Sequence, residues 1–481
     1  MADQHTDRHS DRNTGDEQAV LEGEPLRIAV VGHTNTGKTS LLRTLTRDRR
    51  FGEVSFRPGT TRHVEVARLL IQGRAALELY DTPGMEEPIS LLELLESQDT
   101  DNSGERLDGP ARIRRFLDTE AARARFEQEA KVLRQMLNSD AAFYVIDARD
   151  PVLAKYRDEL AVLNLCGVPL LPLLNFVAGT DTHEAQWREA LSRNGLHAVV
   201  SFDTVAPVSG SERLLYEKLS TLLDPHRERL QALIRSHEHD AEQRRQAGRQ
   251  LIAELLIDVA TLEMYVRSTS SAELEAGVKR LNEKVRRHEQ QTVTTLLDLY
   301  SFSTEDVEGS GLPFGDGRWR QDLFDPEALQ VMGLRIGGGA AAGAATGLGF
   351  DLMVGGVTMG AAAAIGAVAG GGLQTMRHYG RNLFGKLTGE QSLRVDDNIL
   401  RLLAVRQLKL LNGLEGRGHA AMAPLKPDES GARENLWQPR LPAPLRRARA
   451  RPEWCALRQG YSPQADRQDA VAELVAVLAR L

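Results

Sequence analysis

Hydrophobic positions in the first half of the chain recur with two periods. Short apolar runs at residues 26–31, 76–80, 141–147 and 169–174 read as buried strands, and an alternating run at 64–71 reads as a strand with one wet face. A last short strand is expected at 197–202. Between them, apolar residues at helical spacing predict helices opening at 40–45 and running over 111–138, 156–165 and 212–223, the last stopped by Asp224-Pro225. Strands alternating with helices predict an α/β fold, a mainly parallel sheet covered on both faces, with any ligand at the carboxyl ends of the strands. Residues 91–109 break the pattern and read as a polar, acidic insertion.

From residue 226 the strand period disappears. A long helix is expected over 226–266, with Leu230, Leu233, Ile234, Leu251, Leu255 and Leu256 on its apolar side, and a second over 271–299; the pair predicts a stalk or bundle. Residues 331–376 are a different material. Gly333, Gly337, Gly343, Gly347, Gly356, Gly360, Gly366 and Gly370 punctuate a run of Ala and other small residues, and Arg335 and Asp351 are its charged positions. Small residues every fourth position let helix backbones approach closely, so a hairpin of two arms turning near Asp351 is expected. Each arm, roughly 20 to 25 residues, is long enough to cross a bilayer. The competing reading is a close-packed pair inside a water-soluble core. Membrane contact is preferred, because each Gly opposes an aqueous helix by ~1 kcal/mol relative to Ala.

Five segments follow: a disordered tail at 1–24, an α/β domain at 25–225, a helical domain at 226–412, a flexible basic linker at 413–464, and a closing helix at 465–481 with Val471, Leu474, Val475 and Leu478 on one face. The polar tail has no apolar stretch to act as a signal peptide. Cys166 and Cys455 are far apart and indicate neither a disulfide framework nor a zinc site, which suits a reducing cytoplasm. The net charge of −7 argues against overall attraction to nucleic acid, although the arginines of the linker can touch anionic lipid or RNA.

The candidate chemistry lies between the first strand and the first helix. Gly32-His33-Thr34-Asn35-Thr36-Gly37-Lys38-Thr39 fits the phosphate-loop pattern G-x-x-x-x-G-K-[ST], followed by Ser40. Backbone N–H groups at a helix start converge on phosphate oxygens; Lys38 reaches the β- and γ-phosphates and the Thr39 hydroxyl ligates Mg²⁺. A chance match in a chain of 42 glycines is disfavoured by a second signal. The strand at 76–80 ends in Asp81-Thr82-Pro83-Gly84, a carboxylate for Mg²⁺ and a Gly whose N–H can meet a γ-phosphate.

With Pro58-Gly59-Thr60-Thr61-Arg62-His63 between them, these motifs resemble the TrmE–Era–EngA class of bacterial GTPases, over residues 26–224. The resemblance implies a P-loop G domain binding GTP or GDP with Mg²⁺. Thr61 matches the switch I threonine that closes on Mg²⁺, and Asn35 matches an asparagine associated with a bound K⁺. Lys38, Thr61 and Gly84 are then the catalytic positions. Met85 stands where Ras-like proteins hold a catalytic Gln, so slow intrinsic turnover is expected. The chain departs from the class at the guanine-reading N-K-x-D motif, where Asn175-Phe176-Val177-Ala178 stands. Asn175 can still contact the base, Ala178 cannot, and Asp203 is an alternative base reader; GTP or ATP preference stays open. The C-terminal half resembles that of a bacterial family with no assigned function for it. The leading expectation is a Mg²⁺- and K⁺-dependent GTPase switch at the inner face of the plasma membrane, coupled to a membrane or membrane-protein partner, with homodimerisation an option. The alternatives are a ribosome- or RNA-associated GTPase and a nucleotide-binding scaffold with little turnover.

Overall fold

The computed structural model describes residues 23–47, 64–97, 106–179, 181–205, 207–208, 210–267, 271–302, 314–315, 318–319, 322–324, 357–359, 390–415, 436–437 and 440–481. Thr61 with its loop, the N-terminal tail and nearly all of the Gly/Ala-rich stretch lie outside these residues. The chain divides into two units, residues 1–241 with 416–422, and residues 242–415 with 423–481.

The first unit is built on β1 (Leu26–Val31), α1 (Lys38–Thr46), β2 (Glu65–Ile71), β3 (Arg74–Asp81), α2 (Pro88–Ser97), α3 (Gly109–Leu117), α4 (Glu127–Leu137), β4 (Ala141–Asp147), α5 (Ala154–Asn164), β5 (Leu170–Asn175), α6 (Glu184–Arg193), β6 (Val200–Ser201) and α7 (Ser211–Leu222). The strands form one sheet in the order β2-β3-β1-β4-β5-β6, parallel except where β2 runs against β3. Alternation sorts their side chains by face. Ile28, Val30, Phe143 and Val145 join Leu41, Leu45, Leu215 and Leu219 on one side, whereas Ala29, Val31, Tyr144 and Ile146 join Leu95, Phe116, Leu133 and Leu160 on the other. Both faces are therefore buried, which is why these strands read as continuous apolar runs. From β1 the chain goes first to one side of the sheet and then to the other. The loop after β1 therefore opens at the switch point, where open α/β sheets bind ligands.

Several expectations are revised in detail. The helix expected over 111–138 is two helices, α3 and α4, separated by nine residues. Asp108 caps α3, its side chain accepting from the Ala111 N–H at 2.8 Å. The insertion expected at 91–109 begins instead as α2, which buries Leu91 and Leu95. Cys166 is buried among apolar residues, and burial pushes its thiol up to about 12.

The helix α8 (Arg227–Thr261) runs from the first unit's residues into those of the second and stops short of residue 266, because Glu263–Arg267 forms a strand, β7. The second unit continues with α9 (Ser271–Leu299), the two-residue strands β8 (Phe314–Gly315) and β9 (Arg318–Trp319), β10 (Val357–Met359), β11 (Glu390–Val395), α10 (Asp397–Glu415), α11 (Ala443–Arg449) and α12 (Ala465–Leu478). An antiparallel sheet in the order β10-β11-β7 joins segments over a hundred residues apart. The three described residues of the Gly/Ala-rich stretch, in β10, are thus a strand where a helical arm was expected. No helix among the described residues is long and apolar enough to cross a membrane.

The expected linker is structured in its described C-terminal part. Leu445 and Ala448 of α11 are buried, as are Trp454 and Cys455. The buried Asp258 of α8 meets this C-terminal region. Its carboxylate accepts from Arg467 Nη2 at 2.9 Å and the Ala456 N–H at 3.0 Å, and lies 3.1 Å from His288 Nε2. These bonds hold it below the usual carboxylate range in spite of burial. A carboxylate shared this way ties α8, α9 and the C-terminal segment together, and leaving it unpaired would be strongly destabilising. Two arginines of the run make ion pairs at the surface of the fold: Arg449 reaches Asp397 at 2.8 Å and Arg447 reaches Glu473 at 2.7 Å.

Candidate nucleotide site

The loop between β1 and α1 has the conformation its sequence requires. Gly37 caps α1 with φ +91, and a Cβ there would lie 2.3 Å from Asn175 Nδ2, so both the backbone and the neighbour demand glycine. Thr36 Oγ1 donates to the His33 carbonyl at 3.0 Å. Lys38 reaches back into the loop, donating from Nζ to the carbonyls of Gly32 at 3.0 Å and His33 at 2.8 Å. Burial pulls this ammonium below the ordinary lysine range, opposed by Asp81 and Glu159. Asn35 sits exposed at the rim of the loop with φ +66, a conformation asparagine tolerates. Ser40 is buried in the first turn of α1.

The DTPG turn meets this loop directly. Thr39 Oγ1 donates to Asp81 Oδ2 at 2.5 Å. The other oxygen, Asp81 Oδ1, is buried with no hydrogen-bond partner, and burial raises the carboxyl to about 6. A hydroxyl and a carboxylate in contact, with one oxygen left over, suit a hard oxygen-seeking cation such as Mg²⁺. Thr82 is anchored by donating to the Val30 carbonyl at 2.7 Å. Gly84 lies against Thr34: a Cβ on Gly84 would fall 2.4 Å from Thr34 Oγ1 and 2.7 Å from Thr34 Cα. Met85 is fully buried and pairs with His33 in a single parallel bridge. The buried carboxylate of Glu129 in α4 then accepts the N–H groups of Glu86 at 3.0 Å and Glu87 at 2.9 Å, fixing the start of α2.

Beneath the loop lies a polar cluster that no motif announces. Glu159 of α5 is completely buried, and both its oxygens lack a hydrogen-bond partner. His33 Nδ1 is 3.7 Å from Glu159 Oε2, and Lys155 Nζ is 2.9 Å from His33 Nε2. Burial pushes Glu159 up to about 8 and, with Lys155 and Lys38 alongside, pulls His33 down to about 4. Both groups are neutral near pH 7 as a result.

The other end of the site is assembled from two loops. Asn175 ends β5, and its Oδ1 accepts from the Phe176 N–H at 2.9 Å, the Thr204 N–H at 3.0 Å and Thr204 Oγ1 at 3.1 Å. Its Nδ2 donates to the Thr36 carbonyl at 2.9 Å, so one buried amide ties the base loops to the phosphate loop. Asp203 turns toward the place of the missing motif carboxylate: Oδ2 accepts the Ala178 N–H at 3.0 Å and Oδ1 the Val205 N–H at 2.9 Å. The structure therefore brings together Gly32, Asn35, Thr36, Gly37, Lys38, Thr39, Ser40, Asp81 and Gly84 at one end, and Asn175 and Asp203 at the other. Thr61 lies outside the described residues. Sequence reasoning missed Glu129 and Glu159, which look like solvated helix positions, and Arg149 beside Phe176.

A family model described as 50S ribosome-binding GTPase matches residues 27–175, and one described as a domain of unknown function, DUF3482, matches residues 188–476. No curated protein matches the chain. Among solved structures, Era in complex with MgGDPNP and nucleotides 1506–1542 of 16S ribosomal RNA is 18% identical, over 42% of this chain and 56% of that one, with a TM-score of 0.28. Aquifex aeolicus Era bound to GDP and AlF4⁻ is 14% identical, over 56% of this chain and 89% of that one, with a TM-score of 0.27. The G domain of the T. maritima FeoB iron transporter is 18% identical, over 41% of this chain and 98% of that one, with a TM-score of 0.24. The chain spans little more than half the length of the first of these, and overlap this loose adds nothing about individual residues. The phosphate loop, the DTPG turn and the sheet that aligns them agree with the GTPase model. With the second model covering more than half its length, the chain belongs to the DUF3482 family and carries a GTPase domain ahead of that domain of unknown function.

Proposed function

We propose that the protein is a Mg²⁺-dependent GTPase switch that selects guanine with Asn175 and Asp203. The carrying observation is the placement of Asp203, whose carboxylate bonds the backbone N–H of Ala178, the residue that stands where the motif carboxylate would be. Asn175 Nδ2 has a second hydrogen that can meet purine N7. Since adenine and guanine both offer N7 as an acceptor, that contact does not distinguish them. A carboxylate does, because guanine presents N1–H and 2-amino donors where adenine presents an acceptor.

At the phosphate end, Lys38 leaves its loop carbonyls for the phosphates, and the Gly84 N–H meets the γ-phosphate. Thr39 and Asp81, with Thr61, are the residues to hold Mg²⁺, which neutralises phosphate charge when bound. To Asn35, exposed at the rim, we assign a K⁺ beside the phosphates. Met85 turns into the core and leaves attacking water without a side-chain amide, so turnover is slow unless a partner completes the site.

The test is competition between GTP and ATP for the full-length protein with Mg²⁺, in KCl and then in NaCl. Strong GTP preference with faster turnover in K⁺ supports the reading, and Asn35→Ala should erase the difference between the salts. Equal or better ATP binding would remove guanine selection. Coupling of the C-terminal half to a membrane or membrane-protein partner is motivated by the composition of residues 331–376. Flotation with anionic liposomes in each nucleotide state tests it. Pelleting with 50S subunits under a GTP analogue tests the ribosomal alternative that the G-domain family's description raises.

A further inference from the structure

We infer that Phe176 is the wall on which the nucleotide base stacks, and that Arg149 and Asp147 are the buttress that stiffens it. The inference rests on the nucleotide-binding reading above and adds the contact that holds the base, as distinct from the one that selects it.

Phe176 follows Asn175 directly, at the position where a lysine would stand in the N-K-x-D motif. Its backbone is left-handed, φ +59, an unusual conformation for a bulky aromatic residue, and its N–H is held by Asn175 Oδ1. The ring is thereby directed to the phosphate loop: a Cβ added to Gly37 would lie 3.2 Å from Phe176 Cζ. It is only partly buried, although it follows the buried Asn175. One face of the ring is covered by the Arg149 guanidinium, 4.0 Å from the ring centroid. That guanidinium is fixed in turn by a two-pronged ion pair with Asp147 at the end of β4, Nε to Oδ1 at 2.9 Å and Nη2 to Oδ2 at 2.6 Å.

A planar cation pinned on one face leaves an aromatic ring with its opposite face as a flat, rigid surface. Purines stack on such surfaces whatever their edges carry, because every base has a π-face. A lysine stem offers less contact area and more rotamer freedom to lose. This division of labour explains how a chain lacking the motif Lys and Asp can retain base affinity. Phe176 supplies contact that guanine and adenine share, and Asp203 across the loop supplies the difference between them.

The experiment measures binding of GDP, ADP and tripolyphosphate to the full-length protein by titration calorimetry or competition. It uses wild type, Phe176→Ala, Phe176→Leu and Phe176→Trp, with thermal melts to establish folding. GDP and ADP should each weaken by about fivefold or more in Phe176→Ala, and partly in Phe176→Leu. Phe176→Trp should retain affinity, and tripolyphosphate, which has no base, should bind as to wild type. Arg149→Leu should show a smaller loss with the same pattern. Two results overturn the stacking role. One is GDP affinity within twofold of wild type in both truncated variants. The other is tripolyphosphate weakening in step with GDP, which would make Phe176 a prop for Gly37. If Phe176→Ala does not fold, Phe176→Leu decides by the same criteria. Wild-type protein that binds no guanine nucleotide would instead break the underlying reading.

Discussion

The two ends of the nucleotide site are built on different principles. At the phosphate end, the residues that matter lie in two short contiguous motifs, and each side chain meets a partner within its own loop or the adjoining strand end: Lys38 on Gly32 and His33, Thr39 on Asp81. At the base end, no contiguous motif survives. Asn175 and Asp203, on loops 28 residues apart in the chain, are locked together through Thr204 and Ala178. Phosphates are alike in every nucleotide, and backbone N–H groups at a helix start are the means to hold them, so local geometry constrains that end tightly. A base edge can be met by a carboxylate arriving from either loop. Its reader can therefore move along the chain without moving in space.

Breaking the phosphate end should have the largest effect. Lys38→Ala is expected to weaken GTP and ATP alike, on the order of 100-fold or more, since an ionised donor facing a multiply charged ligand is lost; equilibrium binding with a fluorescent nucleotide measures it. Asp203→Asn should act on one ligand only. The GTP-over-ATP preference should fall roughly 10- to 100-fold, the range for hydrogen bonds to a charged group, while ATP affinity holds or rises. If both nucleotides weaken together, the two ends are not separable as described.

The metal should add a pH dependence to the phosphate end. Asp81 titrates at about 6, above its ordinary 3.8, because burial disfavours its charge. Mg²⁺ competes with that proton, so apparent Mg²⁺ affinity should be steady above about pH 6 and fall roughly tenfold per unit below it. Asp81→Asn should remove this break.

The last expected effect concerns stability and lies outside the nucleotide contacts. Glu159 holds its proton up to about pH 8 when folded and only to about 4.5 ordinarily. Between those values the folded state binds the extra proton, so stability falls as pH rises through the window and levels off above it. Glu159→Gln keeps the shape without the charge. Its melting temperature should be near that of wild type at pH 5 and exceed it by about 10 °C at pH 9. Equal slopes for both proteins would mean that the carboxylate finds a charge partner on ionisation.

The sequence by itself determined the order of strands in the first unit, the phosphate loop and the DTPG turn. These are read from neighbours in the chain: apolar runs must be buried, and a Gly-rich turn between strand and helix has few uses. It also placed Asn175 at the base end and offered Asp203 as a substitute. Tertiary structure decided what depends on partners far along the chain. Asp203 meets the Ala178 N–H only because β6 returns beside β5 and carries its loop there. Glu129 and Glu159 sit in helices whose charged residues mostly face solvent, and only packing turns these two inward. In the second unit, β7 pairs with β11 across more than a hundred residues, and buried Asp258 finds its partners in Ala456 and Arg467, about two hundred residues later. A buried charge must be answered wherever the answering group lies in the chain, and periodicity along the sequence carries no trace of that requirement.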